Sequence, residues 1–314
     1  MDKLRAMAVF VTVARCESLS AAAREMDVPL TNISRLLSQL EDSLGCALIT
    51  RSSRRLELTP EGREYLTACR LILDDLEQAE SRLSGGIADL SGPLTITAPE
   101  TFGKLHVLPV LTDFLKQHPA IDARLLLLDR RVDMIEEGVD VAVRIGALRD
   151  SGHLATLVGS QRMVTCAAPD YLAGAPALSR VSQLAAHSCI CFVAQPSGLR
   201  WTYASRRGGR KTIRVRPRLT VNSAEAAVDA AISGLGVIRV LAYQARHAIR
   251  SGQLVPLLEE WDDTEIPVHL LRWPHRTAPR RVKDFISFAA ERLREPLGEM
   301  APPALVGSAD GACR

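Results

Sequence analysis

The sequence predicts an all-α N-terminal region, a long linker helix and an α/β C-terminal region. Short helical patterns fill residues 1–45, and one heptad pattern runs through residues 61–84. After a Ser-Gly-Pro break at residues 91–93, short runs of Val, Leu and Ile alternate with helical segments, which is typical of an α/β domain. A chain of 314 residues has room for about two domains with separate cores.

Three short helices are expected in the first 45 residues. The apolar stripe of the first helix comprises Leu4, Met7, Ala8, Val11 and Ala14. Ser20 is expected to cap a second helix over residues 21–26, and a third helix over residues 30–43 ends at Gly45. The apolar stripe of the third helix comprises Ile33, Leu37, Leu40 and Leu44. Two helices joined by so short a turn are typical of a helix-turn-helix.

A two-stranded wing is expected after the third helix. Residues 46–50 and 56–58 have strand patterns, and an arginine-rich turn at residues 51–55 separates them. Thr59 and Pro60 are suited to the N-cap and the first position of a further helix, which we expect to continue to about residue 84.

This linker helix carries an apolar seam whose members are four and three residues apart. The seam comprises Tyr65, Cys69, Ile72, Leu76, Ala79 and Leu83. A helix packed only on its own domain is one explanation of the pattern. A run of nearly three heptads favours a helix that pairs two chains, and we therefore predict that these residues form a dimer contact.

The C-terminal region is predicted to alternate strands and helices up to a short tail. Strands are expected at residues 94–97, 121–128, 139–145, 162–167, 189–193, 213–221 and 268–272. Helices are expected at residues 105–117, 132–137, 223–233 and 279–294. From residue 302 onward the residues are small and polar, which predicts a disordered tail.

Composition excludes several classes of protein. Apolar residues make up 47% of the chain and the formal net charge is only +3, which excludes a disordered chain. Apolar runs are too short for a membrane span or a secretory leader, and seven scattered cysteines do not form a disulfide framework. We expect a cytoplasmic protein without membrane contact. The spacing of His and Cys fits no zinc site, so neither a metal nor a cofactor is predicted.

Several segments of the chain agree with one known family in order, spacing and residue type. In the N-terminal region these segments are FVTVA (10–14), SLSAAA (18–23), ISR (33–35), LE (40–41), LG (44–45) and RRLELTPEG (54–62). In the C-terminal region they are APETFG (98–103), DVAVRIG (140–146), VNS (221–223), GLG (234–236) and GQLVP (252–256). Together these segments resemble LysR-type transcriptional regulators over about residues 1–295.

The resemblance implies an N-terminal winged helix-turn-helix, a linker helix and a two-lobed, periplasmic-binding-protein-like effector domain. The implied parts are a DNA-binding domain at 1–60, a dimerising linker at 61–90, an effector domain at 91–300 with its second lobe at about 162–264, and the tail at 301–314. It also implies a ligand-responsive regulator rather than an enzyme. Its partners would be double-stranded promoter DNA, a small-molecule effector (an anion is one candidate), RNA polymerase, and further copies in a homodimer or homotetramer.

The polar face of the third helix is expected to read DNA, with a solvated surface helix as the alternative. Arg35 is suited to a guanine or a phosphate, and the wing arginines to phosphates or a narrow minor groove. Pro29 stands where the family often has Ser or Thr, so either the helix starts later or Asp27 caps it. The candidate DNA-binding residues are Ser20, Leu30, Thr31, Asn32, Ser34, Arg35, Ser38, Arg51, Ser53, Arg54 and Arg55.

The effector is expected to bind where strands end and helices begin. Residues 99–102 and 222–223 occupy two such junctions, where backbone N–H groups and the Thr101 hydroxyl suit an anion. Helix capping is the alternative role for Thr101 and Asn222, and a surface salt bridge is the alternative for the arginines. The candidate effector-binding residues are Pro99, Thr101, Phe102, Arg144, Phe192, Trp201, Asn222, Ser223 and Arg239.

Three alternatives remain open. Cys189 and Cys191 would share one strand face as buried small side chains, or would act with Cys166 in a thiol-based redox regulator. Residues 200–218 contain eight basic side chains and no acid around a predicted hairpin tip at residues 208–209, which suits a solvated hairpin or a contact with DNA or with a partner's acidic linker. An enzyme or solute-binding protein with two such lobes would need a catalytic motif or a leader, and the sequence has neither.

Overall fold

The N-terminal domain of the computed structural model is built from three packed helices. They are α1 (Lys3–Cys16), α2 (Leu19–Glu25) and α3 (Leu30–Leu44). Their apolar stripes meet in one core whose central side chains include Phe10, Val13, Ile33, Leu37 and Leu40, each fully buried. The structure describes residues 2–51, 56–83, 90–130, 132–135, 137–148, 152–192, 199–204, 209–261, 265–274 and 278–298.

A short antiparallel hairpin and a long helix complete the N-terminal half. Strands β1 (Ile49–Arg51) and β2 (Leu56–Leu58) pair with Ile49 opposite Leu58. Helix α4 (Pro60–Leu83) follows, and its buried residues Leu66 and Cys69 join the core formed by α1 to α3. The first turns of α4 are therefore part of the N-terminal domain's own core.

The C-terminal half contains the remaining helices and strands. The strands are β3 (Gly92–Ala98), β4 (Ile121–Leu127), β5 (Val141–Ile145), β6 (Leu154–Gln161), β7 (Met163–Ala167), β8 (Ser188–Phe192), β9 (Arg200–Ala204), β10 (Arg210–Arg214), β11 (Arg216–Val221), β12 (Val237–Leu241), β13 (Val255–Leu257) and β14 (Ile266–Arg272). The helices are α5 (Glu100–Phe102), α6 (Leu108–Gln117), α7 (Pro169–Ala173), α8 (Ala224–Ile232), α9 (Ala242–Arg250) and α10 (Arg280–Gly298). A π-helical turn, Gly103–Val107, joins α5 to α6.

Two five-stranded sheets form two lobes. The first has the order β4-β3-β5-β14-β6 and the second the order β11-β8-β12-β7-β13. The chain passes from the first lobe to the second between β6 and β7 and returns between β13 and β14. Strands β3, β4 and β5 are parallel in the first lobe, as are β8, β11 and β12 in the second. Each lobe therefore has a carboxyl edge at which ligands bind in folds of this kind.

Several expected boundaries were wrong. Ser18, not Ser20, caps α2, because its Oγ accepts the Ala21 N–H at 3.3 Å while Ser20 lies inside the helix. The first wing strand is Ile49–Arg51 rather than residues 46–50. The Glu41 carboxylate accepts the N–H groups of Leu48 and Ile49, and Leu48 stays outside the ladder.

Three further expectations differ from the structure in the C-terminal half. The helix expected from residue 105 begins at Glu100 and continues through the π turn. The described part of residues 132–137 forms turns rather than a helix, with the Asp133 carboxylate accepting the Ile135 N–H. The strand expected at 213–221 is two strands, β10 and β11, on either side of buried Val215. The predicted tail lies outside the described residues.

No single described helix is both long and apolar enough to cross a bilayer. Helices Lys3–Cys16 and Leu19–Glu25 reach the length and apolar composition of a membrane span only when taken together. The chain bends by 118° between them. Both helices contribute to the core of the N-terminal domain. The described residues contain no cluster of three or more His, Cys, Asp or Glu side chains suited to a metal ion.

Candidate DNA-binding surface and effector cleft

The turn between α2 and α3 has the geometry of a helix C-cap. The Val28 N–H donates to the Ala23 carbonyl at 3.0 Å and the Asp27 N–H to the Arg24 carbonyl at 3.3 Å. Asp27 adopts the left-handed conformation with φ 51°, as this pattern of hydrogen bonds requires. These bonds fix the direction in which α3 leaves the turn.

Helix α3 starts at Leu30, so a later start is excluded. Pro29 occupies the N-cap with φ −57° and ψ 140°, and no side chain caps the helix. The Asp27 carboxylate therefore does not cap it, because Asp27 belongs to the cap of the preceding helix. The first N–H groups of α3 are left available to solvent or to another acceptor.

The outer face of α3 is polar and accessible. Thr31, Arg35 and Ser38 are exposed and are spaced four and three residues apart, while Asn32 and Ser34 are half-buried. The opposite face carries the fully buried Ile33, Leu37 and Leu40. Ser20 and the exposed Leu30 line one shallow depression between α2 and the start of α3. Thr31, Arg35 and Ser38 thus share one face of α3, and Ser20 of α2 lies beside Leu30, the first residue of α3.

The wing is held by α3 and by the start of α4. One Glu41 carboxylate oxygen accepts the Leu48 N–H at 2.8 Å and the Ile49 N–H at 3.2 Å. The Thr59 hydroxyl donates to the Ala47 carbonyl at 2.8 Å and accepts the Gly62 N–H at 2.9 Å, which confirms Thr59 as the N-cap of α4. The candidates Ser53, Arg54 and Arg55 lie outside the described residues, and Arg51 is described only by its backbone in β1.

Gly62 permits the close approach of α4 to the wing. A Cβ atom at this position would lie 2.0 Å from the carbonyl oxygen of Leu48. Thr59 donates its N–H to that same carbonyl at 3.1 Å, so the backbone there is already engaged. The glycine is needed for space, and the direction of the linker helix depends on it.

The candidate dimer seam of α4 divides into two parts. Tyr65 and Cys69 pack into the N-terminal core, where the Tyr65 ring lies 6.0 Å from that of Phe10. Further along the helix, Ile72 is 42% exposed, Leu76 is half-buried and Ala79 is exposed. The side chain of Leu83 lies outside the described residues. The accessible part of the seam therefore begins at Ile72.

The two lobes meet at the carboxyl ends of their central strands. Lys104, just beyond the helix that follows β3, binds Glu225 on the helix that follows β11, with Nζ and Oε1 3.1 Å apart. Thr101 and Ser223 stand at the beginnings of these two helical segments. The salt bridge thus brings both predicted junctions to one cleft.

Three rings form a second contact between the lobes. Phe102 lies edge-on to Tyr243 with 5.4 Å between ring centroids, and His106 lies 4.8 Å from Phe102 and 5.8 Å from Tyr243. Tyr243 belongs to α9 of the second lobe, yet it is buried in the core of the first. Burial, together with the positive charge of Arg246, lowers the pKa of His106. The ring therefore favours its neutral form.

An aspartate already occupies the helix start at which we expected an anion. The Asp129 Oδ1 atom accepts the Glu100 N–H at 3.1 Å, and burial raises the pKa of this carboxyl group. Thr101 is 7% exposed and Phe102 is fully buried beside it. A ligand carboxylate at this point would be repelled by Asp129 in its charged form.

The remaining effector candidates lie in different surroundings. Ser223 caps α8, since its Oγ accepts the Ala226 N–H at 3.4 Å, and Asn222 beside it is exposed. Phe192 ends β8 opposite Val221, at the same edge of the second lobe. Trp201 is 6% exposed and its ring is part of that lobe's core. The guanidinium of Arg239 lies 4.4 Å from the Tyr203 ring centroid, again on the core side of the second lobe.

Arg144 lies on β5 of the first lobe, paired with His269 on β14. It is half-buried, and its Nη1 donates to the Val143 carbonyl at 3.3 Å. Six of the nine candidates stand at the carboxyl edges that face the cleft: Pro99, Thr101, Phe102, Phe192, Asn222 and Ser223. Arg144 is the last residue but one of β5, and Trp201 and Arg239 lie on the core side of the second lobe.

Comparison with known proteins matches both halves of the chain. Residues 4–63 match the bacterial regulatory helix-turn-helix of the lysR family, and residues 88–294 match the LysR substrate binding domain. The chain belongs to the LysR family of transcriptional regulators. It therefore combines a DNA-binding helix-turn-helix with an effector-binding domain of two lobes.

Individual relatives align over nearly the whole length of this LysR-type regulator. It is 33% identical to the HTH-type regulator YhjC of Escherichia coli over 94% of this chain and 99% of that one. It is 34% identical to PtxR of Pseudomonas aeruginosa over 92% and 91%. The full-length structure of AphB, a Vibrio cholerae virulence activator, superposes with a TM-score of 0.60 at 25% identity, covering 92% and 99%.

The three cysteines considered for a redox role in this LysR-type regulator are buried. Cys166 and Cys189 are fully buried and Cys191 is 2% exposed, with Cys189 and Cys191 on one face of β8 as expected. Burial raises the pKa of Cys191 and raises that of Cys189 to about 12. At neutral pH both thiols are protonated, whereas a redox-sensing cysteine needs an accessible thiolate. These observations favour the buried structural role.

The basic segment forms the expected hairpin. Strands β9 and β10 pair antiparallel, with Arg210 opposite Ala204, and residues 205–208 of the tip lie outside the described part of the chain. The six described basic residues are all exposed: Arg200, Arg210, Lys211, Arg214, Arg216 and Arg218. A contact of this hairpin with DNA or with a partner's linker stays a prediction.

Several residues of the cleft and wing were not predicted as functional. Tyr243 and His106 are 137 positions apart, and no periodicity in the sequence connects them. Lys104 and Glu225 are likewise joined only by the packing of the lobes. Glu41 follows Leu40 in a segment that resembles the family and lies near the end of the third helix, so its position was an available signal.

Proposed function

We propose that this LysR-type regulator reads promoter DNA with the exposed face of α3 and contacts the DNA backbone with its wing. The exposed positions Thr31, Arg35 and Ser38, opposite a fully buried stripe on the same helix, support this proposal most strongly. Hydroxyl and guanidinium groups are suited to base edges in the major groove, and N-terminal residues of a recognition helix are those that reach them. The proposed wing contacts are those of Arg51, Arg54 and Arg55.

Pairing of two chains through α4 would present two such surfaces to a site with two-fold symmetry. The exposed Ile72 and the half-buried Leu76 are the described seam residues that support this contact. We assign DNA binding to residues 1–60, pairing of the chains to residues 61–90 and effector binding to residues 91–300. A homodimer, or a homotetramer of paired dimers, acts in the cytoplasm with RNA polymerase and without enzymatic activity.

The effector is a small molecule that binds between the lobes. Thr101 on one side, with Phe192 and Ser223 on the other, supports a site at the two carboxyl edges. The Asp129 carboxylate beside Thr101 favours an effector with a hydrogen-bond donor or a positive charge at that point, and an anionic group would sit toward the second lobe. Binding shifts the population of assembly geometries and thereby the response at the promoter.

Replacement of Arg35 tests the DNA-binding surface. Arg35→Ala should weaken binding to sites selected from genomic DNA roughly 10- to 100-fold, the value of one bidentate contact to a base. Gel shifts at one fixed salt concentration, with competitor DNA of unrelated sequence, give the specificity ratio. Arg5→Ala is the matched control, because Arg5 is an exposed arginine of the same domain on α1. If both variants lost the same DNA affinity, Arg35 would contribute only its charge. If Arg35→Ala bound DNA like the unmodified protein, Arg35 would not be a DNA-reading residue.

A further inference from the structure

The hairpin of strands β9 and β10 has one face in the core of the second lobe and one face in solvent. Trp201 and Tyr203 of β9 are buried in that core, and Ile213, the partner of Trp201 on β10, packs against it. Paired residues of an antiparallel ladder lie on the same face, and successive residues of a strand alternate between faces. The solvent face, which we call the basic ribbon, consists of five exposed residues: Arg200, Thr202, Arg210, Thr212 and Arg214.

Two arginines of the basic ribbon repel each other. Arg200 and Arg214 stand directly opposite across the ladder, and like charges in that position destabilise the pairing of the strands. Residues 200–218 include no acidic residue. Neither arginine forms an ion pair with another residue in the part of the chain that the structure describes. A local cost without compensation inside the chain is typical of a functional site, and here it indicates an anionic partner.

The positive charge extends beyond the basic ribbon. Arg216 and Arg218 are exposed on β11, the outer strand of the second sheet. Arg210 and Arg214 are four residues apart on β10, which corresponds to about 13 Å along a strand. A small ion could neutralise only one end of such a surface. The distribution of the charges therefore favours an extended polyanion.

We propose that the basic ribbon binds the phosphate backbone of DNA, as a second contact in addition to the helix-turn-helix. Double-stranded DNA carries one negative charge per about 1.7 Å of its axis, so several phosphates lie within the length of the ribbon. Arginine and threonine side chains are both common phosphate ligands. The hydroxyl groups of Thr202 and Thr212, which lie between the arginines, are 3.0 Å apart and complete a polar face without acids.

This contact would connect the second lobe of the effector domain directly to DNA. An effector that changes the packing of the lobes would then change DNA affinity through the basic ribbon, without any change in α3. That coupling rests on the effector site proposed above, whereas the DNA contact itself does not. Phosphate contacts carry no sequence information, so the ribbon adds affinity and leaves the choice of sequence to the helix-turn-helix.

The salt dependence of DNA binding tests the ribbon in the full chain. Each neutralised phosphate contributes about 0.9 to the slope of log affinity against log salt concentration. Arg200→Gln combined with Arg214→Gln should therefore lower the slope by about 2 for each bound chain and weaken binding roughly tenfold at 0.1 M salt. Arg124→Gln combined with Arg250→Gln is the matched control, because it removes the same charge from two exposed arginines elsewhere on the lobes. The control should keep the slope.

Charge and folding are checked by two further measurements. Arg200→Lys combined with Arg214→Lys should restore the slope, since lysine also binds phosphate as a point charge. The glutamine pair should unfold at an equal or higher urea concentration than the unmodified protein, because the repulsion across the ladder is gone.

Three results would overturn the proposal. One is an unchanged slope in the glutamine pair, and another is the same loss of slope in the control pair. The third is a change of assembly in analytical ultracentrifugation with the slope unchanged, which would assign the ribbon to an acidic surface of another chain. The glutamine pair should weaken binding to selected sites and to unrelated DNA equally, whereas Arg35→Ala changes their ratio. Failure of the ribbon is therefore distinguishable from failure of the surface on α3.

Discussion

The DNA-binding domain and the effector domain position their candidate residues in different ways. On α3, exposed Arg35 and buried Leu37 are near neighbours in sequence, and one helical period assigns each to its face. In the effector cleft, Thr101 and Ser223 belong to separate lobes, and the Lys104–Glu225 salt bridge joins the helical segments at whose starts they stand. The first arrangement depends on local contacts, and the second depends on how two sheets pack. Changes to the local geometry of the N-terminal domain should therefore disable DNA binding. Changes in the cleft should alter how strongly the two lobes are held together.

Gly62→Ala should have the largest effect, and it tests how strictly local geometry controls the DNA-binding half. The added Cβ would lie 2.0 Å from a backbone carbonyl, which cannot move without disturbing the wing. We expect a loss of about 3 kcal/mol in the free energy of unfolding, at the upper end for overpacking, together with weaker DNA binding. Urea denaturation and gel shifts measure the two effects. Gly174→Ala is the control, because nothing lies within 4 Å of the corresponding Cβ; similar losses in both variants would contradict the argument.

The same difference determines what could be predicted from the sequence. The helices of the N-terminal domain were predicted nearly to their ends, because periodicity and end signals such as Gly45 and Thr59 are local. The cap of α2 was misplaced by two residues, since Ser18 and Ser20 are equally suited by type and only the backbone distinguishes them. Phe102, His106 and Tyr243 form one cluster through packing between lobes. No local pattern encodes such a contact.

His106 allows the packing of the lobes to be tested by pH. Its folded pKa is lowered, so below the ordinary value of about 6.5 the unfolded chain binds more protons than the folded one. Stability should therefore be fully present above that pH and fall as the pH drops from about 6.5 toward the folded pKa, by at most about 1.4 kcal/mol per pH unit for this residue. His187 and His269, whose pKa values burial also lowers, act in the same direction.

His106→Phe should reduce this dependence, because it keeps a ring beside Phe102 and removes the titrating group. The measurement is the free energy of unfolding in urea between pH 5 and 7.5. At pH 7.5 the two proteins should differ little, since the Nε2 atom of His106 is buried without a partner among the described residues. If the free energy of unfolding depended on pH equally in both proteins, His106 would not be the source of the pH dependence.

Substitutions of Pro29 at the start of α3 test whether a local change in helix capping alters stability without altering DNA specificity. Pro29 has the backbone angles of an N-cap but offers no side-chain acceptor. Pro29→Ser should supply that acceptor, whereas Pro29→Ala removes the same proline constraint without adding a cap. We expect the serine variant to be more stable than the alanine variant by about 1 kcal/mol. Thermal unfolding of both variants measures the difference, and DNA specificity should be retained because Arg35 keeps its place on the helix. Equal stabilities would mean that solvent caps α3 as well as serine does.

The smallest effect is expected at the salt bridge between the lobes. The side chains of Lys104 and Glu225 are 60% and 48% exposed, and exposed pairs contribute at most about 1 kcal/mol. A double-mutant cycle with Lys104→Ala and Glu225→Gln should give a coupling of about 0.5 kcal/mol at low salt, and 1 M salt should abolish it, because screening then acts over about 3 Å. A coupling that survives high salt would mean that the pair is desolvated by closure of the lobes. The cleft would then be held by charge as well as by the Phe102–Tyr243 contact, and an effector would have to displace both.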